Sequence, residues 1–218
     1  LNNNKDGYTS FEEIECDSIF VSGNWTPTVH LASQSGNKLR YDNNTDTFLP
    51  DQSRQKETVV GSANGSLTLE ESLKDGFETG FILSNKITRN NKPSSVPISD
   101  EKQYGKHDKF WCMPLPEKKH YKRFVDFQND VAVSDIQLAV QEGFRSIEHV
   151  KRYTTLGMAT DQGKTSNLNG LQLVSDLEKK IVPEVGHTTF RPPYTSVTIG
   201  TIIGREAVSY THLRAHET

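Results

Sequence analysis

Residues 125–170, VDFQNDVAVSDIQLAVQEGFRSIEHVKRYTTLGMATDQGKTSNLNG, decide the reading of this chain. A short apolar, strand-like piece comes first, then Ser134-Asp135 ahead of the periodic residues Ile136, Leu138, Ala139 and Val140, then Gly143. That order predicts a capped helix with a glycine stop. A second helix is predicted from Ser146 to Thr155, closing at Gly157, and a turn at Asp161-Gln162-Gly163 launches a third through Asn167 and Leu171. Three short helices around a glycine-bearing loop form a small module, expected to bury little core by itself.

Upstream, the pattern changes from helical to mixed. Residues 15–21 (ECDSIFV) predict a short strand halted by Ser22-Gly23, followed by a loop over residues 24–30. Residues 38–41 and 47–49 flank the turn-forming stretch from Asp42 to Asp46 and predict a hairpin. Thr58-Val59-Val60 then leads into Gly61-Ser62-Ala63-Asn64-Gly65 and an amphipathic helix from Leu67 to Gly80, with Leu69, Leu73 and Phe77 on one face. Strand, glycine turn and helix is the arrangement that aims free backbone N–H groups at a phosphate. The same turn also serves simply to let a strand pack closely on a helix.

Between these halves, residues 84–122 read as a linker, with Pro93, Pro97, Pro114 and Pro116 among Ser, Asn and charges. The apolar island from Phe110 to Met113 reads as a strap onto a neighbouring surface, and the basic run from Lys118 to Arg123 as a solvated face. After the module, residues 182–204 are expected to be extended, because prolines and β-branched residues end helices. Arg191, between Phe190 and Pro192, suits a carboxylate, a subunit contact or a structural ion pair.

Composition narrows the class. The chain has 218 residues, 33% hydrophobic content and a net charge of −3, and no basic stripe with interleaved aromatics argues for nucleic acid. No apolar run approaches the ~18–20 residues that a membrane span needs. Cys16 and Cys112 are far apart and lack metal-type spacing, so they read as two unpaired thiols in a reducing, cytoplasmic setting. No Ser-His-Asp, paired-carboxylate or metal constellation is visible, so neither a catalytic residue nor a metal site is assigned. Both ends read as artificial: Leu1 stands in place of a start methionine, and residues 208–218 (VSYTHLRAHET) read as a translated sequencing adapter. That tail is excluded from fold reasoning, together with its His212 and His216.

The words of the central loop, HVKRYTTLGMATDQGKTSNLNG, resemble the alpha subunits of the heterotetrameric sarcosine oxidases, as do ECDSIFVSGNWTPTVHLASQSG and GSANGSLTLEESLKDGFETG. The resemblance covers most of residues 11–206. It implies an α/β part followed by an all-α part: the C-terminal edge of a two-dinucleotide-binding, Rossmann-like domain (1–83), the linker (84–122), a small helical domain (123–181) and a truncated start of an aminomethyltransferase-like, folate-binding domain (182–207). The helical domain is itself similar to compact 2Fe–2S modules. Their four cysteines fall at Asp126, Gln128, Asp161 and Ser166 here, so a cysteine-free, cluster-free spacer is implied.

The same resemblance implies NAD on this subunit, with Ser62, Ala63 and Asn64 near the cofactor backbone and Leu67 and Leu69 packing beside it. Relatives place an acidic residue at the end of this turn, and none stands there in this sequence. FAD and FMN are implied on a partner subunit or at its boundary, and tetrahydrofolate on the missing downstream domain. The implied partners are the beta, gamma and delta subunits. The implied reaction is oxidative demethylation of sarcosine to glycine with hydrogen peroxide, the one-carbon unit passing to tetrahydrofolate. Two other readings stay open: an enzyme of the same architecture acting on another amine of opine or glycine type, and a non-enzymatic dinucleotide-binding scaffold.

Overall fold

The computed structural model describes residues 3–4, 7–8, 14–20, 25–88, 95–96, 98–99, 111–113, 121–192 and 195–203. Val21, Gly23, Phe110, residues 118–120, residues 193–194 and the tail 208–218 lie outside them. The fold is mixed α/β. Its strands form three two-stranded antiparallel pairs among the described residues: β1 (Asn3–Asn4) with β2 (Gly7–Tyr8), β3 (Leu39–Asp42) with β4 (Thr47–Pro50), and β5 (Phe124–Asp126) with β6 (Val131–Ala132). The helices are α1 (His30–Gln34), α2 (Leu69–Thr88), α3 (Val133–Gln141), α4 (Ile147–Thr154), α5 (Asn167–Glu178), α6 (Val182–Val185) and α7 (Ile199–Ile203).

The β3–β4 hairpin forms as its turn residues predict. Asp42 folds its carboxylate back onto the amides of Asn44 and Thr45 and the Thr45 hydroxyl, which keeps that carboxyl below its usual range. The hydroxyl contributes most to the shift. Tyr41 and Phe48 meet edge-on, 5.3 Å between centroids, and lie against the helical core. Over its described part, the strand predicted at residues 15–21 does not form: residues 14–20 lie exposed and outside any strand pair among the described residues, with Phe20 96% exposed. A strand needs a neighbour to take its amides and carbonyls, and this stretch has none among the described residues.

The helical module departs from expectation in one important respect. It holds the main core of the molecule: Val125, Val131, Ile136, Ala139, Ile147, Val150, Leu156, Leu171 and Val174 are all buried in a single cluster. Burial on this scale comes from four helices converging, with the hairpin closing one side, rather than from any one amphipathic stripe. The cap of α3 also differs. Ser134 lies inside the helix, and Asp135 reaches back to accept the Ala132 amide at 2.8 Å. Three residues into a helix, a carboxylate satisfies a free N–H there and complements the positive end of the dipole.

Residues 182–204 are not simply extended, because α6 and α7 lie within them. Pro183 stands at the start of α6, where a missing N–H costs nothing, and Glu184 accepts the Ile181 amide at 3.2 Å. Just past the linker, Arg123 donates to Cys112 Sγ (3.2 Å) and to the Met113 carbonyl (3.0 Å), tying the half-buried Cys112 to the core. Helix α2 continues past Gly80 to Thr88 and has no buried residue. No helix of the described residues is long and apolar enough to cross a membrane.

Candidate functional site

Two places carry polar groups arranged by the fold. The first is the glycine turn before α2. Gly61–Asn64 forms one turn of 3-10 helix, closed by Gly65 in the left-handed region, and it sits on the hairpin, where Leu49 presses against Gly65. Of the predicted cofactor contacts, Ser62 is exposed, while Ala63, Asn64 and Leu67 are half-buried. Leu69, the first residue of α2, is 53% exposed. The turn gathers Ser62, Ala63 and Asn64 on one small arc and leaves Leu67 and Leu69 at the helix entrance.

The turn holds no carboxylate of its own, as its sequence reads, but the fold brings one to it. Asp75, two turns into α2, accepts the Gly61 amide at 2.8 Å and the Ser66 hydroxyl at 3.4 Å, both on Oδ2. Its Oδ1 accepts no hydrogen bond among the described residues. The N-terminus of α2 is also filled by its own side chains: Thr68 Oγ1 accepts the Glu71 amide and Glu71 accepts the Thr68 amide, both at 3.2 Å. This reciprocal cap takes two of the amide donors at the helix entrance, Thr68 and Glu71, and adds negative charge beside Glu70. The turn therefore suits a hydroxyl, which donates to Asp75, better than a phosphate. The Thr-x-x-Glu cap was legible in the sequence, whereas Asp75 was not, because its contact spans 14 residues.

The second place is the loop between α4 and α5. Asp126, 2% exposed, accepts the amides of Gln128 (2.9 Å) and Gly157 (2.8 Å), with a longer bond from Asn129. Gln128 Oε1 accepts the Thr160 hydroxyl at 2.9 Å, and Asp161 accepts the Gly163 amide and the Thr165 hydroxyl. Ser166 is fully buried, and its hydroxyl has no partner among the described residues. The four positions set apart by the sequence thus fall in and around one loop, three of them joined to it by hydrogen bonds. No group of three or more His, Cys, Asp or Glu residues could hold a metal among the described residues. Cys16 and Cys112 are both free thiols.

The loop's interior packing is equally specific. The Asn167 side chain lies against both Gly157 and Gly163, whose φ values are +65° and +75°, and a Cβ on either glycine would overlap Asn167 Oδ1. Beside it, a cavity of about 60 Å³ is bordered by His30, Thr47, Phe48, Asn167 and Phe190. His30 is buried, and its ring lies against Phe190 at a 38° tilt, 3.8 Å between centroids. Burial, with a smaller effect from the Lys164 ammonium, lowers its pKa to about 4, against a weaker opposing pull from Asp161.

Residues 120–205 match the sarcosine oxidase A3 domain. Sarcosine oxidase subunit alpha of Rhizobium meliloti (strain 1021) is 37% identical over 194 residues, which is 88% of this chain and 19% of that protein. The subunit alpha of Corynebacterium sp. (strain U-96) is 34% identical over 199 residues, 89% of this chain and 20% of that protein. The chain therefore spans about a fifth of the length of the curated relatives it matches. Among solved structures, L-proline dehydrogenase from P. horikoshii superposes with a TM-score of 0.50 at 21% identity, over 83% of this chain and 37% of that one, a likeness of fold.

Proposed function

Residues 120–205 belong to the sarcosine oxidase A3 domain family, and from that premise we propose that this chain is the connecting portion of a sarcosine oxidase alpha subunit. The observation that carries the proposal is the 37% identity sustained across 194 residues, which covers both the glycine turn and the helical module. The complete protein would oxidise the secondary amine of sarcosine, release hydrogen peroxide, pass the one-carbon unit to tetrahydrofolate and leave glycine. Beta, gamma and delta subunits would complete the assembly, with FAD and FMN on or beside a partner. The flavin supplies the redox step.

This chain's residues would bind and position. Ser62, Ala63 and Asn64 would line the backbone of NAD, with Leu67 and Leu69 alongside, as the closing edge of a dinucleotide-binding domain over 1–83. Asp75 fits there as the acceptor for a sugar hydroxyl: its Oδ2 is held by Gly61 and Ser66, and Oδ1 faces no competing donor among the described residues. Residues 84–122 would link that domain to the helical one (123–181). In the helical domain, Asp126, Gln128 and Asp161 would hold the loop that thiolate ligands hold in the related iron–sulfur modules. Residues 182–207 would lead into the folate-binding domain.

The test is a complete alpha subunit carrying this chain, co-expressed with its partner subunits. Peroxide release should depend on sarcosine, and glycine should form faster when tetrahydrofolate is added. Peroxide from opine-type amines with none from sarcosine would replace this reading with the alternative substrate class.

A further inference from the structure

An open cavity of about 270 Å³ lies on the helical module, bordered by α4, the loop after it and the segment that follows α6. Its charged groups are Lys151, Arg152, Arg191 and Glu148. The fold assembles them from distant parts of the chain. Glu148 accepts the Thr189 amide at 2.7 Å, which ties the 189–191 segment to α4 and brings Arg191 to the cavity that Lys151 and Arg152 also border. The same carboxylate pairs with Arg152 at 3.5 Å, so one cation is already matched. Lys151 and Arg191 have no ion pair among the described residues.

We propose that this cavity binds a phosphate-bearing organic ligand. Two unmatched cations, a guanidinium fork and a point ammonium, match the roughly −1.5 to −2 charge of a phosphate monoester at neutral pH. Planar guanidinium groups recognise phosphate oxygens bidentately. Thr189 and Gln162 stand on the wall as further polar groups, and Met158 gives an apolar surface for an organic body. The volume lies just below the ~300 Å³ lower bound of ordinary small-molecule sites, too large for a bare ion and small enough to select a compact ester. This site is separate from the glycine turn, and its assignment does not depend on NAD or on sarcosine chemistry.

Calorimetric titration of the 218-residue chain with phenyl phosphate tests it, with malonate as the dicarboxylate comparator. Phenyl phosphate is expected to bind saturably and at least about tenfold more tightly than malonate. Lys151→Ala and Arg191→Ala should each weaken binding about tenfold, since each removes a charge-assisted contact. Arg145→Ala, whose guanidinium pairs with Glu178 away from the cavity, should leave it unchanged. Glu148→Gln keeps an acceptor for the Thr189 amide while removing the carboxylate, and should tighten binding about threefold or more, a gain that misfolding could not produce. Absence of saturable phenyl phosphate binding, equal binding of malonate, or indifference to both Lys151→Ala and Arg191→Ala would overturn the proposal.

Discussion

The carboxylate of Asp126 accepts the Gly157 amide 31 residues away at 2.8 Å, and so joins the β5–β6 turn to the loop between α4 and α5. Gln128 and Asn129 donate to the same side chain, so one buried group holds three backbone donors. Asp126→Ala would leave the buried Gly157 amide unmatched, at a cost of about 1–3 kcal/mol, while the amides of the exposed Gln128 and Asn129 can turn to water. A loss of that size is expected in urea unfolding of the chain. Asp126→Asn should lose about half of that, since its oxygen still accepts while its NH2 lacks an acceptor. Gln137→Ala, on the exposed face of α3, is the reference and should stay within about 0.5 kcal/mol. Equal effects for Asp126→Ala and Gln137→Ala would show that the junction is held by apolar packing instead.

The Asn167 side chain fills the space that a Cβ on Gly157 or Gly163 would need, and both glycines have left-handed backbones. Gly163→Ala therefore combines overlap with backbone strain, for an expected loss of about 2–4 kcal/mol. Asn167→Ala should relieve the overlap. In the double variant the two losses should fall short of their sum by about 1 kcal/mol or more, the mark of directly coupled residues. Strict additivity in a double-mutant cycle would refute the wedge. Gly143→Ala is a useful contrast: it shares the positive φ, but open space surrounds it, so only the backbone cost should be measured.

Local chemistry made some of this legible and not the rest. The β3–β4 hairpin could be read because Asp42 and its neighbours make their own turn bonds within a few residues. The first two central helices could be read because glycines close them, Gly143 after α3 and Gly157 just beyond α4. What escaped was set by distance along the chain. Asp75 meets Gly61 across 14 residues, and Arg191 meets α4 only because Glu148 holds Thr189 across 41. The apolar stretch at residues 15–21 had strand composition, but its described part has no strand partner among the described residues, and strand formation is decided by the partner. The size of the module's core followed from how helices and hairpin converge, which no single periodic segment records.

His30 gives the chain a pH signature. Its pKa falls from the ordinary 6.5 to about 4, first through burial and then through Lys164. The unfolded chain therefore takes up a proton near pH 6.5 while the folded chain resists until about pH 4. Stability from this group is complete above pH 6.5 and is lost as the pH falls toward 4. His30→Gln removes the titration and keeps a polar side chain. Urea unfolding of both proteins from pH 7 to pH 4 should show the parent losing about 2–3 kcal/mol more than the variant, the remaining carboxylates cancelling in the difference. Parallel curves would mean that the ring stays solvated and is not protected by Phe190.

Asp75 offers the sharpest decision about the glycine turn. If NAD meets this turn through a sugar hydroxyl, Asp75→Ala removes the acceptor, and the affinity of a complete alpha subunit carrying this chain should fall about tenfold. If a phosphate meets the turn instead, the same substitution removes a repulsive charge and frees the Gly61 amide, so NAD should bind more tightly. The two arrangements predict opposite signs. The readout is the NAD retained by the purified subunit and its dissociation constant by fluorescence titration. Asp75→Asn separates charge from hydrogen bonding, since its oxygen can still accept from a hydroxyl while the negative charge is gone. With a hydroxyl at Oδ1, Asp75→Asn should fall between the parent and Asp75→Ala; with a phosphate, it should bind more tightly than the parent. Unchanged affinity in both variants would remove residues 61–75 from the cofactor site altogether.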